Sequence, residues 1–198
     1  MKIFAFTDIH ADINAIKHIE EVVKKEQPDI VICTGDLSIF EDFIEEVMDR
    51  LAKLPKHLYV IHGNHEGEDV LKKICSFHEN VTFCHKKVIQ VKDFVIVSYG
   101  GGGFSKVDKG FEDFVKSSEN QWKGKKVILL THAPPFNTAL DNLHGEHYGC
   151  KSYTEFVKKN NEVVLHLSGH FHETFNKQDK TNKALLVNSG ARGTLIEI

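Results

Sequence analysis

The sequence predicts an α/β protein built on two packed mixed sheets with helices on their outer faces. Three observations predict it. Short apolar runs rich in β-branched residues alternate with longer segments at helical spacing. Nine such runs occur, which is many for one small open sheet. Tight polar turns join two pairs of runs, and hairpins of that kind need antiparallel neighbours, so the sheets are expected to be mixed.

The strand candidates are 2–7 (KIFAFT), 30–34 (IVICT), 58–62 (LYVIH), 87–91 (KVIQV), 94–99 (FVIVSY), 127–131 (VILLT), 163–167 (VVLHL), 184–188 (ALLVN) and 194–198 (TLIEI). Ile16, Ile19, Val22 and Val23 line one face of a helix over 12–26, with Asp12 placed to cap its start. Phe40, Phe43, Ile44, Val47 and Leu51 predict a second helix over 39–53, and shorter helices are expected at 68–77, 111–119 and 152–160. Lys92-Asp93 makes a tight turn between two strands, and ETFNKQDKTNKALLV makes a hairpin with a polar tip. No repeat, low-complexity tract or linker divides the 198 residues, so one domain over 1–198 is expected.

Composition narrows the classes. A 41% hydrophobic and 27% charged chain is ordinary for a soluble globular protein. No apolar run approaches the ~20 residues that span a bilayer. The start, MKIFAFTDIHAD, places Asp and His where a signal peptide stays hydrophobic, so a cytoplasmic location is expected. A net charge of -3 and only two arginines, Arg50 and Arg192, leave no basic stripe to follow a nucleic-acid backbone. Arg192 reads as a surface residue. Cys33, Cys75, Cys84 and Cys150 lack CxxC spacing and read as reduced, buried thiols. Oligomeric state is open, and a homo-oligomer is compatible with the sequence.

The polar residues that carry chemistry follow the strands. Asp8 and His10 come after the first, Asp36 after the second, Gly63-Asn64-His65-Glu66 after the third, His132 after VILLT and Gly169-His170-Phe171-His172 after VVLHL. Carboxyl ends of parallel strands converge on one sheet edge, where ligands bind. Carboxylate, imidazole and amide oxygen suit divalent Mn, Fe, Zn or Ni. Asp8, His10, Asp36, Asn64, His132, His170 and His172 are too many donors for one tetrahedral ion, and two ions sharing a carboxylate would use them all. Such a pair stabilises both the attacking and the leaving oxygen in phosphoryl displacement and makes a hydroxide from the water between them near neutral pH.

In order along almost the whole chain, D-x-H, G-D, G-N-H-E, the strand-terminal His132 and G-H-x-H resemble the five blocks of the calcineurin-like metallophosphoesterases. The resemblance implies a four-layer α/β/β/α sandwich, the metallo-dependent phosphatase fold. It also implies a dinuclear site in which Asp8, His10, Asp36 and His172 hold one ion and Asp36, Asn64, His132 and His170 the other. His65 would then bind the phosphate and protonate the leaving oxygen as general acid. The implied activity is hydrolysis of small phosphodiesters, with phosphomonoesters or a non-catalytic scaffold as alternatives. The arginines of the phosphoprotein phosphatase blocks are absent from GDLSIF and GNHEGE.

Ile39 departs from the pattern, because many members carry a second carboxylate there to orient the histidine. Glu66, Glu41, Asp42 or a backbone carbonyl would have to position His65, and a weaker dependence on His65 is expected. Gly100–Gly103 lacks the G-K-[ST] ending of a phosphate loop and reads as a flexible connection. His18, His57, His78 and His85 read as surface residues, and His62 and His166 as satisfied histidines on a sheet face. The segment 131–152 is long for a connecting loop, and the resemblance implies that it borders the pocket, which makes His144 or His147 a candidate substrate contact.

Overall fold

The apolar runs do become strands in the computed structural model, which describes residues 1–198. The first half contributes β1 (Lys2–Phe6), α1 (Ile13–Glu26), β2 (Ile30–Cys33), α2 (Ile44–Leu51), β3 (Leu58–Val60), α3 (Glu68–Cys75), β4 (Val81–Phe83), β5 (Lys87–Val91) and β6 (Phe94–Tyr99). The second contributes α4 (Lys109–Ser117), α5 (Glu119–Trp122), β7 (Lys126–Thr131), β8 (Asn142–Leu143), β9 (Glu146–His147), α6 (Lys151–Lys159), β10 (Val163–Ser168), β11 (Gln178–Thr181), β12 (Ala184–Asn188) and β13 (Thr194–Glu197).

One sheet has the order β13-β1-β2-β3-β4 and the other β11-β12-β10-β7-β6-β5. β13, β11 and β5 are antiparallel edge strands on otherwise parallel sheets, so both sheets are mixed. Alternation along each strand divides the core into three slabs. Ile3 and Ala5 of β1 face Ile128, Leu130, Leu165 and Leu167 of the other sheet. Phe4 and Phe6, on the opposite face, pack with Ile16, Ile19, Val47 and Leu71 of α1 to α3. Val127 and Leu129 turn outward to Phe111, Tyr153 and Phe156 of α4 and α6. Helix, sheet, sheet and helix layers follow. No helix is long and apolar enough to cross a membrane.

Several elements differ from the expectation. The second helix begins at Ile44, because Phe40, Glu41 and Phe43 adopt left-handed φ values of 50°, 72° and 60°. Ser38 Oγ accepts from Glu41 N at 3.1 Å, a local side-chain bond that competes with helical pairing. Phe40 and Phe43 are consequently 73% and 68% exposed, and Ile44, Val47, Met48 and Leu51 suffice for the buried stripe. β4 is too short to register as a run, and segment 131–152 contains the β8–β9 hairpin around His144-Gly145, both with positive φ. Asp12 caps α1, accepting from Asn14 N at 2.8 Å, and all four cysteines are buried and free. His85 is buried rather than on the surface, since its Nδ1 accepts from Gly100 N at 2.8 Å. His62 and His166 are buried, but each leaves Nδ1 without a partner.

Candidate metal centre

The loops after β1, β2 and β3 of one sheet and after β7 and β10 of the other meet at one edge. Asp8 N donates to Gly35 O at 2.9 Å, His10 N to Asp36 O at 3.1 Å and Gly169 N to His132 O at 2.8 Å, which ties the loops together. Asp8, His10, Asp36 and His170 all have left-handed φ, at 52°, 44°, 53° and 70°. Four strained non-glycine residues among seven candidates is the clustering expected where backbone conformation is set by a site. The glycines of G-N-H and G-H-x-H are dictated by crowding. A Cβ on Gly63 would collide with Asp36 Oδ1, and one on Gly169 with Thr7 Oγ1 and Asp8 Oδ2.

Ligand-type atoms gather in three overlapping sets, Asp8, His10 and His172; His10, Asp36 and His65; and Asp36, His132 and His170, each within 4.8 Å. Asn64 Oδ1 joins the last, 2.9 Å from His132 Nε2. All seven candidate ligands and His65 are thus at one place. Asp36 Oδ2 is the hub, 3.4 Å from His132 Nε2 and 3.9 Å from the Nε2 atoms of both His10 and His65. Asp36 Oδ1 accepts from His65 N at 3.0 Å.

The donor set fits divalent ions. His132 Nδ1 faces Thr34 O at 2.8 Å and His10 Nδ1 faces Ser38 O at 3.0 Å, so each Nδ1–H donates to a carbonyl and each Nε2 is turned to the centre. His10 Nε2 and His172 Nε2 lie only 3.1 Å apart. Asp8 Oδ1 and His170 Nε2 are buried without hydrogen-bond partners, a cost that coordination would remove. Burial works to raise both carboxyls, yet His172, His132 and Thr7 hold Asp8 below the usual carboxylate range, and His132 and His65 hold Asp36 well below it. Burial favours a neutral His132, but the Asp36 and Asp8 carboxylates raise it to about 9. Burial, with the His132 charge, lowers His170 to about 4.

Glu66 is buried and does not serve the His65 ring. Its Oε1 accepts from Ser38 N at 2.9 Å and Ser38 Oγ at 3.1 Å, and its Oε2 from Asp36 N at 3.1 Å and Gly63 N at 3.2 Å. It clamps the loop carrying Asp36 to the loop carrying Asn64 and His65. Burial lifts its carboxyl above the usual range despite the donors from Ser38 and Gly63. Glu41 is also engaged elsewhere, accepting from Gly67 N at 2.9 Å. His65 Nδ1 has no partner, and the ring is held by packing, with Phe40 at 4.4 Å and His10 edge-on at 4.7 Å. The apolar spacing of Phe40 points to a helix face, which concealed this role.

A cleft opens over these residues, lined by His10, Asp36, Ile39, Asn64, His65, Phe104, His170 and His172. A calcineurin-like phosphoesterase model matches residues 1–174, from before the first block to beyond the last. The chain belongs to the calcineurin-like phosphoesterases. It is therefore a metallophosphoesterase, a hydrolase of ester bonds. It is 27% identical over 208 residues to an uncharacterized protein of Methanocaldococcus jannaschii, covering 99% of this chain and 91% of that one. It is 26% identical over 173 residues to a probable cyclic nucleotide phosphodiesterase of Coxiella burnetii, covering 82% and 67%. A crystal structure from Thermus thermophilus shares the fold, with a TM-score of 0.79 at 14% identity over 98% and 93% of the two chains.

The two candidate substrate contacts lie outside the metal cluster. His147 Nδ1 is bound to the buried Asp141 carboxylate at 2.7 Å. Asp141 also accepts from Asn137 N, Thr138 N and Gly149 N, so this pair holds the 131–152 segment in shape. His144, at the hairpin tip, is exposed and lines a neighbouring cleft.

Proposed function

We propose that this phosphoesterase hydrolyses small phosphodiesters at a two-ion centre, with Asp8, His10, Asp36 and His172 holding one divalent ion and Asp36, Asn64, His132 and His170 the second. The observation that carries the reading is Asp36 Oδ2, which faces imidazoles of both ligand sets. The mixed carboxylate, imidazole and amide donors suit Mn, Fe, Zn or Ni. When bound, such a pair supplies an activated water and offsets the charge that develops on the phosphoryl oxygens. His65 Nε2 stands at the same rim to hydrogen-bond the phosphate and donate a proton to the leaving oxygen. Phe40 sets the plane of that ring in place of a carboxylate.

A diester is favoured over a monoester by the charge of the lining. Neither lysine nor arginine borders the cleft to balance the second negative charge of a phosphomonoester, and Ile39 and Phe104 suit a substrate carrying carbon on both sides of phosphorus. The probable cyclic nucleotide phosphodiesterase among the relatives agrees with this class.

The test compares bis(p-nitrophenyl) phosphate with p-nitrophenyl phosphate in the presence of Mn, Ni, Zn or Fe, beside Asp36→Asn. Faster diester hydrolysis, abolished by chelation and by the substitution, is expected. A faster monoester rate would make the protein a phosphatase, and no metal-dependent hydrolysis of either would make it a scaffold.

A further inference from the structure

Beside the metal centre lies a second cavity of about 410 Å³, lined by Phe104, Leu143, His144, Glu146 and Tyr148. Phe104 borders both spaces. We infer that this cavity is the subsite for the retained alcohol of the diester, and that it selects alcohols carrying a flat aromatic group. The inference rests on the phosphodiesterase reading above and adds the substrate class.

The Phe104 ring is edge-on to His170 at 4.8 Å and leans on Phe171 at 5.6 Å, so its position is fixed relative to a candidate ligand while 66% of the residue stays exposed. It flanks the set containing His132 and His170. His65 belongs instead to the set containing His10 and Asp36, and the leaving oxygen needs its proton there. A group reaching past Phe104 is therefore attached through the oxygen that stays on phosphorus.

The loop bearing Phe104 is anchored before the ring by Gly100 N to His85 Nδ1 and Gly101 N to His62 O, both 2.8 Å. After the ring, Lys151 N donates to Lys106 O at 2.8 Å and Asp108 N to Ser152 Oγ at 3.0 Å. The opposite wall is the β8–β9 hairpin, fastened through Asp141 and His147, with Tyr148 Oη donating to Glu146 Oε2 at 2.9 Å. The expected flexible glycine connection is thus an arm tied down at both ends. Two exposed aromatic rings on fixed supports are stacking platforms that lose little freedom on binding.

Phe104, Leu143 and Tyr148 offer apolar surface, while His144 and Glu146 offer hydrogen bonds to the edge of a ring. The only formal charge among the five is the Glu146 carboxylate, which disfavours an additional phosphate.

The experiment measures kcat and KM for benzyl and methyl p-nitrophenyl phosphate, which share a leaving group and differ in the retained alcohol. Wild type is expected to favour the benzyl ester by roughly tenfold in kcat/KM, mainly through KM. Phe104→Ala and Tyr148→Ala, on separate supports, reduce that ratio to within about threefold, and Tyr148→Phe keeps it. Phe77→Ala, an exposed phenyl beyond α3, changes neither rate nor ratio. Equal treatment of the two esters by wild type, or a ratio that survives both alanine variants, overturns the subsite and leaves the phosphodiesterase reading intact. Failure to hydrolyse either ester under conditions that support metal binding removes both.

Discussion

Replacing Glu66 by glutamine tests the clamp between the loops of the metal centre. The change preserves volume and one carbonyl oxygen, but turns the other oxygen into an NH2 group facing two donors. With the amide oxygen on the Ser38 side, Asp36 N and Gly63 N lose their acceptor; with it on the other side, Ser38 N and Oγ do. Leaving a buried donor unsatisfied costs about 1–3 kcal/mol, so two cost roughly 2–6 kcal/mol. For a chain of 198 residues this corresponds to a fall in Tm of roughly 4–24 °C. The same donors fix Asp36 and the Gly63-Asn64 turn, so affinity for divalent ions should fall about 10–100-fold. Calorimetric melting and a metal titration on the same variant measure both effects. A Tm loss below about 2 °C together with unchanged metal affinity would show that Glu66 fills space without holding the loops.

Four further outcomes follow from the site. His132, raised to about 9 from the ordinary 6.5, contributes stability that is full below pH 6.5 and is lost as pH rises through 9. Since an ion needs its Nε2 unprotonated, binding to chelator-stripped protein at pH 7 should release about one proton from this group, and affinity should climb by up to about tenfold per pH unit towards 9. Calorimetry in buffers of unequal ionisation heat counts that proton, and an affinity flat from pH 7 to 9 would contradict the assignment. His65→Ala is expected to slow diester hydrolysis roughly 10–100-fold, less than Asp36→Asn, and Phe40→Ala to lower kcat about threefold with KM little changed. Equal losses for His65→Ala and Asp36→Asn would refute a secondary role for His65. Gly169→Ala forces a Cβ against Thr7 and Asp8, so it should abolish measurable ion binding in equilibrium dialysis while far-ultraviolet dichroism stays near wild type.

The layered architecture and the converging donors were legible because both rest on strong local signals. Long β-branched runs mark strands, and ligand-type residues at their ends can meet only at a common edge. What escaped was set by tertiary partners. Phe40 and Phe43 have helical spacing, but Ser38 is bound by Glu66 and turns the backbone left-handed before a helix can start. Glu66 looked like a partner for the neighbouring imidazole, and its real partners are backbone donors up to 30 residues away in sequence. His85 showed no local sign of burial because its neighbours are Gly100 and Tyr99, brought across by a sheet contact. The glycine run at 100–103 gave no hint that its first two residues are fastened and that the next side chain is an aromatic wall.

Asp8, His10, Asp36 and Asn64 hang from one sheet, and His132, His170 and His172 from the other. Any cation gripped by both groups is a rivet through the open end of the sandwich. With ions bound, sliding one layer over its mate would break ligand contacts, so the pair would resist slip between the sheets at this end. Chelation should therefore be felt as a loosening of the whole rim, well beyond the ligands themselves.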